Sequence, residues 1–375
     1  MRLTVLFIAL ILLLCSAAVP GLADTEIYQA PKQVVITFTG DCTLGCDPLE
    51  RGRSSGFESY IDQYGYGYPF EKVRHIFEQD DLTVINLEGT FYNSDANAAP
   101  DKTYHFRGPT DYVQILTEAS IEACSIGNNH ILDYGVPGME STIETLEQRG
   151  IAWFGTTEYC NGTYIYEKDG VKIGFYSIYY SDWVTVIKTA AKDSIAALKE
   201  AGCNLIVACI HVGVEYDTRH DLNQEKMADA FIRYGADVVI GNHPHSIQGI
   251  REQDGVCTLW SLGNFAFGGN SSVVISRKKS VNFGKININS FIAQFIFSFD
   301  ENNAYLGHQL TIIPCYTTGT GTEKNNYQPI PVTGTDAEKV MKAIQDDTPY
   351  RRLLLNPYVE GVGAVQEFVP CTRQK

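Results

Sequence analysis

The chain has 375 residues, 44% of them hydrophobic and 19% charged, which excludes a disordered or fibrous protein and supplies a sizeable core. Its 29 Lys and Arg against 44 Asp and Glu give a formal charge of -15, the wrong sign for a general nucleic-acid binder. An anionic substrate would have to be met by a local positive group such as a metal, because the net field repels it.

The N-terminus reads as an export signal. Arg2 precedes an almost continuous apolar run from Leu3 to Val19, and Gly21-Leu22-Ala23 supplies small residues at a cleavage spacing. A signal peptide over 1–23 is expected, with a mature protein secreted or held in the extracytoplasmic envelope. Removing it takes Cys15 and leaves nine of the ten cysteines, an odd number, so at least one thiol is unpaired within the chain. Cys42 and Cys46, the one close pair of note, are read as structural or disulfide-linked rather than as metal ligands.

Val34-Val35-Ile36-Thr37-Phe38-Thr39 is β-branched and aromatic and breaks at Gly40-Asp41, so it reads as a buried strand. Pro69 to Glu78 has helical spacing. Leu82 to Ile85 is a second strand, ending at Asn86-Leu87-Glu88-Gly89. A helix from Tyr112 to Glu118 leads into a strand at Ala123–Ile126, which stops at Gly127-Asn128-Asn129-His130. Gly138 to Gly150 is a helix and Ile151 to Phe154 a short strand. Asp169-Gly170 joins the two arms of a hairpin, 164–166 and 171–179. A helix at Ser194–Ala201 precedes the strand Leu205–Ile210, which ends on His211. A helix at Gln224–Tyr234 precedes the strand Asp237–Ile240, which ends on Gly241-Asn242-His243-Pro244-His245. Val256 to Leu262 is a strand ending on Gly263-Asn264. Gly319 to Gln328 is a polar loop, and one amphipathic helix lies near Val340, Met341 and Ile344. The expected organisation is one catalytic domain over 34–300, with C-terminal strands and an extension over 301–375.

Strand after strand ends in a loop bearing Asp, Glu, Asn or His, and α/β folds bind ligands beyond the carboxyl ends of their strands. Asp41, Glu88, Asn129, His211, His243 and His245 are therefore candidate metal ligands. Carboxylate oxygen with imidazole nitrogen suits Zn, Mn or Fe, and a shared carboxylate flanked by histidines can hold two ions. His243-Pro244-His245 is read as extended, with period two setting both rings on one side. His130, beside Asn129, is the candidate general acid. Softer candidates for substrate contact are Arg107 and His105 as positive groups, Glu215 four residues after His211, and Asn86. Asn264 is a candidate hydrogen-bonding group, and Asp133 a residue that holds the His130 loop.

The ordered motifs Gly40-Asp41, Asn86-Leu87-Glu88-Gly89, Asn128-Asn129-His130 with Asp133-Tyr134-Gly135, His211-Val212-Gly213-Val214-Glu215, Gly235 to His245 and Ser261-Leu262-Gly263-Asn264-Phe265 resemble the CapA family of poly-γ-glutamate capsule biosynthesis proteins. The resemblance runs from about Val34 to about Phe267. That family is similar in turn to calcineurin-like metallophosphoesterases. The likeness implies an α/β fold, a four-layer α/β/β/α sandwich with a C-terminal extension, and one or two divalent transition metal ions (Mn, Zn or Fe). It further implies Asp41 and His245 at a first metal, Asn129, His211 and His243 at a second, Glu88 as the bridge and His130 as the catalytic histidine. Two departures stand out. Thr43 occupies the position of a first-site histidine, and Glu88 replaces a bridging aspartate. The implied partners are an anionic envelope polymer or its precursor and a capsule-synthesis membrane complex, with no nucleic acid. Two functions follow as alternatives: a metal-dependent hydrolase of a phosphoester or amide in such a polymer, or a non-catalytic polymer-binding or capsule-assembly protein using the same cleft.

Overall fold

The computed structural model describes residues 31–179, 185–274, 286–322, 324–348 and 356–373; the expected signal peptide over 1–23 lies outside them. In chain order the principal elements are β1 (Lys32–Thr43), α1 (Phe57–Tyr64), α2 (Arg74–Phe77), β2 (Leu82–Leu87), α3 (Val113–Glu118), β3 (Ala123–Ser125), α4 (Gly135–Gln148) and β4 (Ala152–Thr156). They continue with β5 (Asn161–Lys168), β6 (Val171–Tyr179), α5 (Thr185–Glu200), β7 (Leu205–His211), α6 (Leu222–Tyr234) and β8 (Val238–Asn242). Then come β9 (Ile250–Gln253), β10 (Val256–Leu259), β11 (Asn264–Phe267), β12 (Asn289–Phe299), β13 (Tyr305–Tyr316) and α7 (Gly334–Asp346).

One continuous ladder runs β9-β10-β8-β7-β6-β5-β4-β3-β2-β1-β12-β13, with β11 beside β1. Strands β1, β2, β3 and β4 pair in parallel, and so do β6, β7, β8 and β10. The ladder folds onto itself into two facing halves, as the alternation of side chains shows. On β7, Leu205, Val207 and Cys209 enter the core between the halves, whereas Ile206, Ala208 and Ile210 pack outward with α5 and α6. On β2, Leu82 and Val84 face the inner core, and Ile85 and Leu87 face the layer of α1 to α4. The result is helix, sheet, sheet, helix. Strands buried on both faces read as unbroken apolar runs, which is why β2 and β7 stand out in the sequence.

Several elements depart from the sequence reading. Pro69 lies in a 3-10 turn over Tyr68–Phe70, and the chain breaks at Val73 (φ −120°) before the one-turn α2, so Pro69–Glu78 is two short pieces. Helix α5 begins at Thr185, ahead of the expected Ser194, and β10 ends at Leu259 rather than Leu262. A long antiparallel hairpin completes one half of the sheet: β13 falls among the C-terminal strands expected over 301–375, and β12 was not expected from the sequence. Its Phe291, Ala293, Phe295, Phe297 and Phe299 all point into the inner core, with each phenylalanine contributing about 1.5–3 kcal/mol of burial. The boundary at 300/301 falls in the turn of this hairpin. Helix α7 sets Ala337, Val340, Ala343 and Ile344 against the same core.

Two motif glycines are fixed by close approach. A Cβ on Gly40 would stand 2.0 Å from the Gly263 carbonyl oxygen, and one on Gly241 would stand 2.1 Å from that of Trp260. Both allow a site-bearing strand to pass tightly against the Trp260–Gly263 segment. All nine described cysteines are free thiols, so Cys42 and Cys46 are structural rather than disulfide-linked. Among the described residues no helix is long and apolar enough to cross a membrane.

Candidate metal centre

Parallel strands bring their carboxyl ends to one edge, so the loops after β2, β3, β7 and β8 meet there with the end of β1. Asp41 and Glu88 are fully buried, and His130, His211, His243 and His245 keep no more than 9% exposure. The donors form two groups that share one carboxylate. Glu88, His211 and His243 have ligand atoms within 4.8 Å of one another, and so do Asp41, Glu88 and His245.

In the second group His211 Nε2 lies 2.8 Å from Asn129 Oδ1, 3.1 Å from His243 Nδ1 and 3.4 Å from Glu88 Oε1. Three donor atoms thus gather around His211 Nε2. In the first group His245 Nδ1 stands 3.1 Å from Asp41 Oδ2, and its Nε2 stands 3.7 Å from Glu88 Oε1. Asn264 Oδ1 lies 2.9 Å from His245 Nδ1. Asn86 ties the groups together: its Nδ2 donates to Asp41 Oδ1 at 2.8 Å and lies 3.3 Å from His211 Nδ1. Asn128 in turn donates to Asn86 Oδ1 and the Leu87 carbonyl.

The rings of His243 and His245 do not converge by strand alternation. Their φ values are +99° and +53°, so the chain kinks at both residues around Pro244. Such backbone costs about 1–3 kcal/mol per residue and persists only where its surroundings enforce it. Part of that enforcement comes from α6. Asp221 caps the helix by accepting from the Asn223 and Gln224 amides, and Gln224 Oε1 accepts from the Asp221 amide in return. Gln224 Nε2 then donates to Gln248 Oε1 and the Trp260 carbonyl, anchoring the segment just beyond His245.

The donors fit divalent cations. Asp41 Oδ2 and both oxygens of Glu88 are buried and accept no hydrogen bond. Such oxygens are costly unless a cation meets them. Burial would raise the Glu88 carboxyl, but His245 and His211 outweigh it and hold it below the usual carboxylate range. Burial would lower His245, but Glu88 and Asp41 push it up to about 10, so a metal must displace a proton there. His243 falls well below the usual imidazole value through burial and the neighbouring His211, which leaves it neutral and ready to ligate. Thr43, at the position of the missing first-site histidine, is fully buried and its hydroxyl has no partner.

His130 lies at the rim of this centre. Its Nδ1 is 2.7 Å from Asp133 Oδ2, its Nε2 is 3.9 Å from Glu88 Oε1, and its ring packs on Phe106 at 4.3 Å. Asp133 also accepts from the Phe106 amide and from Lys102, whose Nζ reaches the Asn129 carbonyl too. No pattern in the Asp101-Lys102 stretch pointed to that lysine. Glu215, exposed, falls within 4.8 Å of ligand atoms of His243 and His245. Arg107 and His105 are engaged elsewhere. The Arg107 guanidinium pairs with Asp95 and the Tyr92 carbonyl, and the His105 ring lies 2.7 Å from the Ala99 carbonyl.

Fold and donors together define an α/β sandwich with a two-pocket metal-ligand centre at the carboxyl edge of its sheet. The chain belongs to the family described as bacterial capsule synthesis protein PGA_cap, whose profile matches residues 35–269. It is 25% identical over 262 residues to the capsule biosynthesis protein CapA of Bacillus anthracis, covering 64% of this chain and 61% of that one. It is 27% identical over 264 residues to the PGA biosynthesis protein CapA of Bacillus subtilis, covering 66% of this chain and 67% of that one. The match thus spans less than two thirds of the length of the Bacillus anthracis protein. A crystal structure of a hypothetical protein from Thermus thermophilus overlaps 75% of this chain and 99% of its own, at a TM-score of 0.44 and 14% identity. That overlap is too loose to add to the fold argument.

Proposed function

We propose that the protein is exported and serves the synthesis of capsule poly-γ-glutamate as a metal-dependent hydrolase, acting on a phosphoester or amide of an anionic envelope polymer. One observation carries this reading: Glu88, fully buried and without a hydrogen bond to either oxygen, belongs to two donor groups at once and lies beside His130. The relatives' names support the polymer. The metal would be Mn, Zn or Fe, as the mixed nitrogen and oxygen donors suggest.

Divalent ions held by Asp41, Glu88 and His245 and by Glu88, Asn129, His211 and His243 would supply Lewis acidity and a more acidic water. The chain's own residues do the rest. Asp133 fixes the His130 ring through Nδ1 and leaves Nε2 turned toward the centre. His130 Nε2 is then placed to give a proton to the leaving oxygen or nitrogen. Asn86 and Asn128 hold Asp41 and His211 in register with Glu88. Phe106 covers one side of His130 and limits water there.

The alternative is a polymer holder without turnover, and Thr43 favours it, because the first group lacks a fourth side-chain donor. Turnover of phosphoesters and γ-glutamyl amides by the metal-loaded protein separates the two. The hydrolase reading expects activity in the wild type that His130→Ala removes while metal stays bound. Loaded protein inert toward every such bond would leave the holder.

A further inference from the structure

Three polar side chains face one another in the core between the two halves of the sheet, at the end remote from the functional loops. Glu252 on β9 and Cys257 on β10 are direct cross-strand partners. Alternation places them on the inner face with Ile250 and Leu259. His308 on β13 comes from the opposite half, on the inner face with Leu310 and Ile312. Cys257 and His308 are fully buried, and the Glu252 side chain keeps 15% exposure. A carboxylate oxygen, a sulfur and a ring nitrogen of the three lie within 4.8 Å of one another. Phe295 and Phe297 wall the imidazole, with ring centroids 5.6 and 6.4 Å away.

The histidine is oriented for ligation. Tyr305 Oη stands 2.8 Å from His308 Nδ1, which leaves Nε2 facing Glu252 Oε2 at 3.1 Å. Fixing one ring nitrogen so that the other meets a metal is the usual arrangement around ligating histidines. The 3.1 Å gap is close to the ~3.3 Å between neighbouring ligands on a tetrahedral ion with bonds of about 2.0–2.1 Å. Glu252 Oε1 is buried and accepts no hydrogen bond, so it is available as a further oxygen. Cys257 pairs in register with Val238, five residues before His243, which puts it ~16 Å along the strand from that ligand. An ion here is separate from any at Glu88.

We propose that Glu252, Cys257 and His308 form a separate, sulfur-containing site for one zinc-like divalent ion, which ties the two halves of the sheet together at the end opposite the functional loops. The thiolate selects zinc over manganese. The site depends on no assumption about turnover at the Glu88 centre.

Cobalt(II) is the probe. Thiolate-to-cobalt charge-transfer absorption separates this site from the Glu88 centre, since Asp41, Glu88, Asn129, His211, His243 and His245 offer no sulfur, and Cys257→Ser separates it from the other free thiols. Full chain that has been stripped by chelator and reduced is titrated with cobalt. The expected result is a charge-transfer band saturating at about one equivalent, kept in His243→Ala and absent in Cys257→Ser. Zinc should raise the melting temperature of His243→Ala by several degrees more than that of the His243→Ala, Cys257→Ser double variant, which keeps only the Asp41, Glu88 and His245 group. Should Cys257→Ser fail to fold, Glu252→Gln should weaken the band's cobalt affinity by ~10-fold or more. Cobalt bound without the band, a band that survives Cys257→Ser, or unchanged affinity in Glu252→Gln would overturn the proposal.

Discussion

The carboxyl edge of the parallel strands and the hairpin of β12 and β13 are built from the same ladder and obey opposite rules. At the edge, buried carboxylate oxygens lack hydrogen-bond partners, imidazoles crowd one another and two histidines adopt positive φ. In the hairpin, ten successive residue pairs keep register from Asn289–Tyr316 to Ser298–Gly307, and along β12 every second side chain from Phe291 to Phe299 fills the core with Phe or Ala. The difference teaches where this protein spends stability. The hairpin and its neighbours supply packing energy, and the edge uses it to hold charges and strain that only a cation relieves.

Substitutions in the two regions should therefore fail differently. His243→Ala should have the largest effect, loss of second-pocket metal and of all hydrolysis with the fold intact; elemental analysis beside circular dichroism checks it. His130→Ala comes next, with turnover reduced ~10²–10⁴-fold and metal retained. Full turnover in that variant would break the proton-donor assignment. Phe295→Ala, in the hairpin, should cost about 3–5 kcal/mol in denaturant unfolding while the folded fraction binds metal at the Glu88 centre as the wild type does. Altered metal affinity there would blur the contrast between the regions.

A smaller effect joins the loop between β7 and α6 to the end of α7. His220 Nδ1 lies 2.9 Å from Asp347 Oδ2, its Nε2 is 3.2 Å from Glu225, and its ring stacks on Trp260. Burial would lower the His220 pKa, but Asp347 and Glu225 outweigh it and raise it above the ordinary value. The folded state thus holds this proton more tightly than the unfolded one. The contribution is complete below the unfolded value of about 6.5 and fades as pH rises through the higher folded value. His220→Gln should flatten that part of the stability–pH curve, by no more than ~2 kcal/mol.

Much of the edge was legible in the sequence, because apolar runs mark strands buried on both faces and the polar residues that end them stand out. Asp41, Glu88, Asn129, His211, His243 and His245 do meet in space. Other features depend on contacts that sequence does not carry. Arg107, a candidate positive group for substrate, is engaged by Asp95, and Lys102 joins the site only through Asp133, thirty-one positions away. The kinks at His243 and His245 were invisible because φ is imposed there by packing rather than by glycine. By contrast, the alternating Phe291, Ala293, Phe295, Phe297 and Phe299 were a readable strand signal that the motif-centred reading passed over.

Glu88 is the residue on which the account turns, so the most direct measurement is metal content per chain, after purification without chelator, in the wild type and in Glu88→Gln. The account expects one or two transition-metal equivalents at the edge to be lost when the shared carboxylate becomes an amide, with the fold unchanged. Equal metal content in the two proteins would contradict it.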